Sequence, residues 1–201
     1  MQYTSKKFDL PSLDGISEKQ IEVHIGLYEG YVKHINLLRE QIAELTALNK
    51  EKYAYAITET RRRLGFEFNG MRMHELYFSQ WEGKKTDSNT DGALARAVAE
   101  KYGSWEQFLE HFKTVGMSRG IGWTILYYDP EGNSPAGEVH TAWITDHELG
   151  QLGSLPVILA MDMWEHAYMV DYLPAEKKQY IEAFFKNLNW PMIEERFAKV
   201  A

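Results

Sequence analysis

Cysteine is absent from the 201-residue chain. Its absence excludes a disulfide-stabilised scaffold, a zinc finger, a thiolate-bound iron–sulfur cluster and a cysteine nucleophile. Long hydrophobic runs are absent too, since the most apolar stretch, 155–161, has only seven residues and is too short to cross a membrane. The first fifteen residues contain no apolar run of the kind a signal peptide needs. We therefore expect a soluble, cytoplasmic protein without a membrane partner.

Positive charge is scarce relative to negative charge. The chain has 22 Lys and Arg residues against 29 Asp and Glu residues, a formal net charge of −7. This balance argues against a nucleic-acid partner. The acidic excess follows residue 90, because residues 1–90 hold 13 basic and 13 acidic side chains whereas 91–201 hold 9 and 16. A polar, turn-rich stretch at 84–92 separates the two parts and predicts two domains, 1–90 and 91–201.

The first part of the chain has the apolar periodicity of helices. One pattern runs from a candidate cap at Ser17 to about Thr46, and two further helical patterns cover 50–64 and 70–81. Long helices with short joints predict an antiparallel helical hairpin.

The second part mixes helical and strand patterns. Helices are predicted over 91–102, 104–115 and 174–189, with a last short helix from Trp190. Stretches rich in β-branched and aromatic residues predict three strands, at 122–128, 138–145 and 155–160. The predicted fold class is α+β, with an N-terminal α-helical hairpin and a C-terminal α/β domain that contains a small antiparallel sheet.

Histidines and one aspartate are the main chemical candidates. Asp162 and His166 stand four residues apart among apolar and aromatic residues, where both are costly to bury without partners. A metal ion would be such a partner, and so would a purely structural Asp–His hydrogen bond; the spacing does not separate these alternatives. With His24 and His74, the chain offers three imidazoles and one carboxylate, a donor set that suits iron, manganese or zinc.

Other catalytic motifs are weak or absent. Residues 116–120 match the GxSxG pattern of serine hydrolases, but that motif needs a strand before it and a helix after it, and the predicted order is the reverse. The sequence has no Glu-x-x-His pair, which disfavours a di-iron carboxylate bundle, and it has no P-loop. The basic run 61–63 is interpreted as a solvated helix face.

The stretch DMWEHAY, residues 162–168, resembles the D-x-W-E-H-A-Y signature of the iron/manganese superoxide dismutase family. Four more stretches resemble segments of that family: FDLPSL near the start, FNGMRMH at 68–74, GIGWTILYY at 120–128 and YIEAFFKNLNW at 180–190. The resemblance implies a helical hairpin followed by an α/β domain with a three-stranded antiparallel sheet, and a metal between the two domains. This fold agrees with the one that periodicity predicts.

The resemblance also implies a metal site with one manganese or iron ion per subunit. The ligands that it assigns are His24, His74, Asp162 and His166. It makes Tyr31 the tyrosine of the substrate channel and His147 the hydrogen-bonding partner of the metal-bound solvent. Gly70 stands where iron-type members have a glutamine, so the choice between manganese and iron stays open.

Residues around this set imply a dry pocket and a homodimer. Trp123 and Trp164 resemble the aromatic wall of the family's site. Glu165 resembles the residue that reaches the last histidine ligand of the partner subunit. Tyr28 and Met169 replace two residues that meet across the family's dimer, the first a histidine and the second a tyrosine.

One further departure concerns helix geometry. His24 and Tyr31 are seven residues apart where the family has eight, which is consistent with a more regular helix. Together with the two replacements at the dimer, this shortening predicts a retained ligand set with altered proton delivery and slower turnover.

The function that the resemblance implies is superoxide dismutation, the conversion of superoxide into dioxygen and hydrogen peroxide at a manganese or iron centre. The alternatives are a non-catalytic metal-binding member of the same fold and a metal-free protein whose Asp162–His166 pair is structural. Despite the acidic net charge, the channel is expected to attract superoxide through the metal and cations such as Arg72 and Lys33.

Overall fold

Two long helices form the first half of the chain in a computed structural model that describes residues 2–134 and 137–201. Helix α1 spans Glu18–Asn49, and the hydroxyl of Ser17 caps it by accepting a hydrogen bond from the Gln20 amide at 3.0 Å. Helix α2 spans Ala54–Ser79. The prediction of separate helices over 50–64 and 70–81 was therefore wrong, because one 26-residue helix covers most of both.

The glycines of α2 explain this error. Gly65 and Gly70 flank a stretch that looks like a break, since glycine weakens an isolated helix. Packing against α1 overrides that preference. At Gly70 the packing requires glycine: a Cβ atom there would lie 2.6 Å from two ring carbons of Tyr31. The close approach of the two helices at this point brings Tyr31 towards the interior.

The hairpin is antiparallel, as predicted. Residue numbers rise along α1 and fall along α2 in the contacts between the helices: His24–Phe78, Tyr31–His74 and His34–Glu67. Residues 24 and 31 both face α2, because seven residues make about two turns of a regular α-helix.

The described residues of the second half form four α-helices and one sheet. The helices are α3 (Ala93–Tyr102), α4 (Trp105–Gly116), α5 (Lys177–Lys186) and α6 (Trp190–Ala198). The strands are β1 (Gly122–Asp129), β2 (Glu138–Thr145) and β3 (Val157–Asp162). Their order is β2-β1-β3 and both pairings are antiparallel, so the predicted α+β fold with a three-stranded antiparallel sheet is confirmed.

Strand β3 and helix α5 have bounds that differ from the prediction. Strand β3 begins and ends two residues later than expected, so Asp162 belongs to the strand and pairs with Trp123. The helix expected over 174–189 starts as a 3₁₀ turn, and α5 ends at Lys186. Because Asp162 is a strand residue, its position is fixed by the ladder of the sheet.

Strand β3 is an edge of the sheet, and the side chain of Gln80, the residue directly after α2, covers it. The Gln80 amide donates from Nε2 to the Ala160 carbonyl and accepts from the Ala160 amide at Oε1, both at 2.7 Å. The Arg196 guanidinium donates to Gln80 Oε1 at 3.3 Å and to the Ile158 carbonyl at 2.9 Å. Gln80 thus acts as a short extra strand and joins the hairpin to the sheet.

Among the described residues, none of the helices combines the length and the apolarity that crossing a membrane requires.

Candidate metal centre

Four side chains from four parts of the chain meet between the hairpin and the sheet. They are His24 on α1, His74 on α2, Asp162 at the end of β3 and His166 in the 3₁₀ turn that follows. One ligand-type atom from each lies within 4.8 Å of the others. The first three side chains are fully buried, and 18% of the His166 side chain is exposed.

The distances within this cluster suit a shared ion. Asp162 Oδ2 lies 3.1 Å from His24 Nε2, 3.2 Å from His166 Nε2 and 3.5 Å from His74 Nε2. Imidazole and carboxylate ligands of a metal such as zinc bind at about 2.0–2.2 Å. Ligand atoms that subtend ordinary angles of 90–120° at one ion are then about 3.0–3.7 Å apart.

His74 decides between a metal and a purely structural cluster. Its Nδ1 lies 2.6 Å from the Gly70 carbonyl, which only accepts, so Nδ1 carries the hydrogen. Burial lowers the pKa of His74 well below its usual value, so the ring is neutral and Nε2 carries a lone pair. That lone pair has no hydrogen-bonding partner and faces the Asp162 carboxylate. Two buried acceptors face each other favourably only with a cation between them.

The Asp162 carboxylate is oriented for this role. Its Oδ1 accepts the Trp164 amide at 2.8 Å, which leaves Oδ2 directed at the three imidazoles. Burial alone would raise the pKa of Asp162, but His166 and His24 outweigh burial and lower it. Burial lowers the pKa of His24. An ionised carboxylate with neutral imidazoles is the protonation state in which these groups bind metals.

A chain of hydrogen bonds surrounds the cluster on one side. The Trp123 indole Nε1 donates to His147 Nδ1 at 2.9 Å, and His147 Nε2 lies 2.7 Å from the Tyr31 hydroxyl. Burial lowers the pKa of His147 to about 4, so this ring is neutral at pH 7. Since Nδ1 accepts, the single ring hydrogen is on Nε2, and it is directed at Tyr31.

Aromatic rings enclose this chain. Trp164 stacks against His147 at 4.9 Å between ring centroids and against His166 at 5.6 Å. Phe66 lies 4.7 Å from His147 and 6.2 Å from Tyr31. Sequence analysis missed Phe66 because its stretch was interpreted as a gap between helices. In a continuous α2 it lies one turn before Gly70 and faces α1 beside it.

Tyr28 lies nearby, but its hydroxyl has other partners. Its ring stacks with His74 at a centroid distance of 6.5 Å. The hydroxyl accepts the Lys6 amide at 2.8 Å and donates to Glu75 at 3.3 Å. Burial raises its pKa to about 12. Glu165 is exposed, and its carboxylate forms no hydrogen bond or ion pair within the parts of the chain that the structure describes.

Comparisons with known proteins identify the family. Residues 90–196 match the family model described as iron/manganese superoxide dismutases, C-terminal domain. Over 99% of its length the chain is 31% identical to a superoxide dismutase [Fe] of Saccharolobus solfataricus, and the match covers 97% of that relative.

The chain belongs to the iron/manganese superoxide dismutase family.

Relatives of both metal types are similar to this member of the superoxide dismutase family. A superoxide dismutase [Fe] of Cupriavidus metallidurans is 33% identical over 92% of this chain and 90% of that relative. A superoxide dismutase [Mn] 2 of Halobacterium salinarum is 30% identical over 98% of this chain and 94% of that relative. The family resemblance found from the DMWEHAY stretch is confirmed.

The seven-residue spacing of His24 and Tyr31 is consistent with the regular helix α1 of this superoxide dismutase family member. Helix α1 is α-helical from residue 18 to 49, so a seven-residue offset returns Tyr31 to the face of His24. The Tyr31 hydroxyl then reaches His147 on the other half of the molecule.

Proposed function

We propose that this chain is a superoxide dismutase that converts superoxide into dioxygen and hydrogen peroxide with one manganese or iron ion per subunit. Its family supports this function. The observation that carries it is the unpartnered His74 Nε2 lone pair, which faces the Asp162 carboxylate inside a cluster of four ligand-type side chains. Nitrogen and oxygen donors suit either metal.

The proposed ligands are His24, His74, Asp162 and His166. When bound, the ion supplies alternating one-electron oxidation and reduction of superoxide. Two superoxide anions and two protons yield one dioxygen and one hydrogen peroxide, so the protein has to deliver two protons in each cycle. The His74 Nδ1–H bond to the Gly70 carbonyl fixes the ring that presents Nε2 to the ion.

Tyr31 and His147 are the proposed proton-delivery residues. His147 donates its single Nε2 hydrogen to the Tyr31 oxygen, so the Tyr31 hydroxyl hydrogen is free to point into the pocket. Burial raises the pKa of Tyr31, which keeps the hydroxyl protonated at neutral pH. Trp123 fixes the His147 tautomer through Nδ1. Trp123 and Trp164 also cover the cluster and limit access of water.

We also propose a homodimer that involves Glu165. Its carboxylate is exposed one residue before His166, beside an apolar surface formed by Met169 and Val170, which are 45% and 46% exposed. Gln20 on α1 holds this segment through the His166 carbonyl at 2.7 Å and the Val170 amide at 3.0 Å. An exposed apolar surface beside the pocket favours coverage by a second copy. Replacement of Glu165 by alanine should lower the dimer's mass in solution towards that of a monomer, whereas Glu110→Ala should not.

Two finer points stay predictions. The division into domains 1–90 and 91–201 is supported by the lack of regular secondary structure over 84–89, and limited proteolysis should cut there first. A cytoplasmic location is tested by fractionating cells that produce the protein.

Loading the metal-free protein separately with manganese and iron tests the function. We expect superoxide consumption with at least one metal and none without metal. Stoichiometric binding without consumption above that of the free ion would instead identify a non-catalytic member of the family. Failure to bind either ion would favour the structural Asp162–His166 pair.

A further inference from the structure

Part of the aromatic cage around the metal centre is exposed to solvent. His24, His74, Asp162, Trp123 and His147 are buried. The residues of the surrounding aromatic cage that keep partial exposure are Tyr31, Phe66, Trp164 and His166. A small anion therefore reaches the cluster between these four side chains.

A cation lies at this opening. The Arg63 guanidinium carbon stands 3.7 Å from the centroid of the Phe66 ring, a close cation–π contact. Arg63 Nε and Nη2 both lie 2.9 Å from Glu67 Oε1. Half of the Arg63 side chain is exposed, whereas 5% of the Glu67 side chain is exposed. The pair therefore presents its positive end to solvent, and the remaining N–H groups of Arg63 have no partner in the described parts of the chain.

The charge of Arg63 acts on the catalytic side of the pocket. Burial is the main cause of the raised pKa of Tyr31 and of the lowered pKa of His147. The positive charge of Arg63 opposes the first shift and adds to the second. Its field thus extends to both side chains that line the route.

Other cations are less suited to this position. Arg72, which sequence analysis favoured, donates to Glu75 at 2.7 Å and lies over the rings of Tyr3 and Phe68 at about the distance of weak cation–π contacts. It therefore lies away from the Tyr31–His147 pair. Lys33 is exposed and has no described contact with any side chain of the opening.

We propose that Arg63, held on the outer face of Phe66 and by Glu67, is the positioned cation that draws superoxide into the opening of the metal centre. This inference rests on the proposed function. The local positive charge offsets the acidic net charge of the chain, because the field at a pocket depends mainly on nearby charges. Arg63 acts on the approach of the anion, so it alters the second-order rate constant and leaves the chemistry at the ion unchanged.

The test compares four variants of the loaded protein: Arg63→Gln, Arg63→Glu, Arg63→Lys and the control Arg61→Gln. Arg61 carries the same charge on the same helix but lies about 200° around it. We expect Arg63→Gln to lower kcat/KM about two- to fivefold at low ionic strength, and the charge reversal to lower it by about the square of that factor. The lysine variant should keep most of the rate, and added salt should remove the differences.

Azide binding gives a second readout that needs no turnover. The affinity of the loaded protein for azide, followed by absorbance, should fall in the same order as kcat/KM and should not change with Arg61→Gln. Equal effects of the Arg63 and Arg61 substitutions would overturn the role of Arg63. If the parent protein consumes no superoxide, the proposed function fails, and the azide series still decides whether Arg63 attracts anions. Thermal unfolding of each variant verifies that the fold is intact.

Discussion

The inner and outer parts of the metal centre are built differently. The inner part, with His24, His74 and Asp162, is placed by two long helices and a strand ladder and has no exposed surface. In the outer part, Tyr31 also lies on α1, but His147 lies in the turn after β2, and hydrogen bonds with Trp123 and Tyr31 hold its ring. Regular elements therefore position the inner side chains, whereas the His147 ring depends on individual side-chain contacts.

The inner part is also supported from behind. Gln80 pairs with both backbone groups of Ala160, two residues before Asp162, and Arg196 holds Gln80 in place. Burial lowers the pKa of Arg196 to about 10, which still leaves it charged at neutral pH. Replacing inner residues should therefore change metal binding and stability strongly, and replacing outer residues should change rates and pH dependence more modestly.

The largest effect is expected from Asp162→Asn. The amide of asparagine lacks the negative charge that Asp162 contributes to the binding of a cation. Loss of a residue that only supports a ligand costs up to about 100-fold in metal affinity, so loss of this ligand should cost at least about 100-fold. Metal content after dialysis against a weak chelator measures this. The exposed Asp87→Asn serves as the control, and full metal retention by Asp162→Asn would show that the inner part does not depend on its carboxylate.

A smaller effect is expected from Gln80→Leu. This change leaves the buried Ala160 amide and carbonyl without their partners, and should lower the free energy of unfolding by about 2–3 kcal/mol. Urea denaturation of the metal-free protein measures it, with the exposed Gln41→Leu as the control. A loss no larger than that of the control would mean that the strand edge needs no support from α2.

His147 should give the stability a pH dependence. Its pKa, which burial lowers to about 4, lies below the ordinary value of 6.5, so the unfolded state binds a proton more readily as pH falls below 6.5. Stability is then fully present above that pH and is lost as pH decreases. Between pH 7 and pH 5 the metal-free parent should lose about 2 kcal/mol more than His147→Gln does. Urea denaturation at both pH values measures this difference. If the parent and His147→Gln lose the same free energy of unfolding between pH 7 and pH 5, the His147 ring is in contact with water.

The smallest effect is expected from Tyr31→Phe. It leaves the buried His147 Nε2 hydrogen without its acceptor, so the free energy of unfolding should fall by about 1 kcal/mol, the low end for a lost partner because Tyr31 is partly exposed. Turnover under proton-limited conditions should fall, because a positioned proton donor is lost. Unchanged kinetics by pulse radiolysis would remove Tyr31 from proton delivery, whereas a large loss of stability would make its contact with His147 structural.

Sequence reasoning predicted the inner part better than the outer part. Periodicity predicted the hairpin and the sheet, because regular elements leave a periodic signal. The four side chains that meet between them followed from the family resemblance, since the Asp162–His166 spacing alone left a metal site and a structural pair open. Phe66 and Arg63 left no such signal. Their position depends on the continuity of α2 through Gly65 and Gly70, which local propensity opposes and tertiary packing restores.

The sequence also did not predict the direction of the hydrogen bonds that His147 forms. His147 was expected to contact metal-bound solvent, but the family pattern does not state which ring nitrogen carries the hydrogen. The Trp123 contact at Nδ1 settles the tautomer and directs the Nε2 hydrogen to Tyr31. A neutral histidine has one ring hydrogen, and the neighbours of the ring decide which nitrogen carries it. Residue type alone therefore does not predict the acceptor.

Anomalous scattering from crystals of manganese-loaded protein tests the central claim most directly. The account predicts one peak per chain, about 2.0–2.2 Å from Nε2 of His24, His74 and His166 and from Oδ2 of Asp162. A peak bound elsewhere, or one that leaves His74 Nε2 uncoordinated, would contradict it.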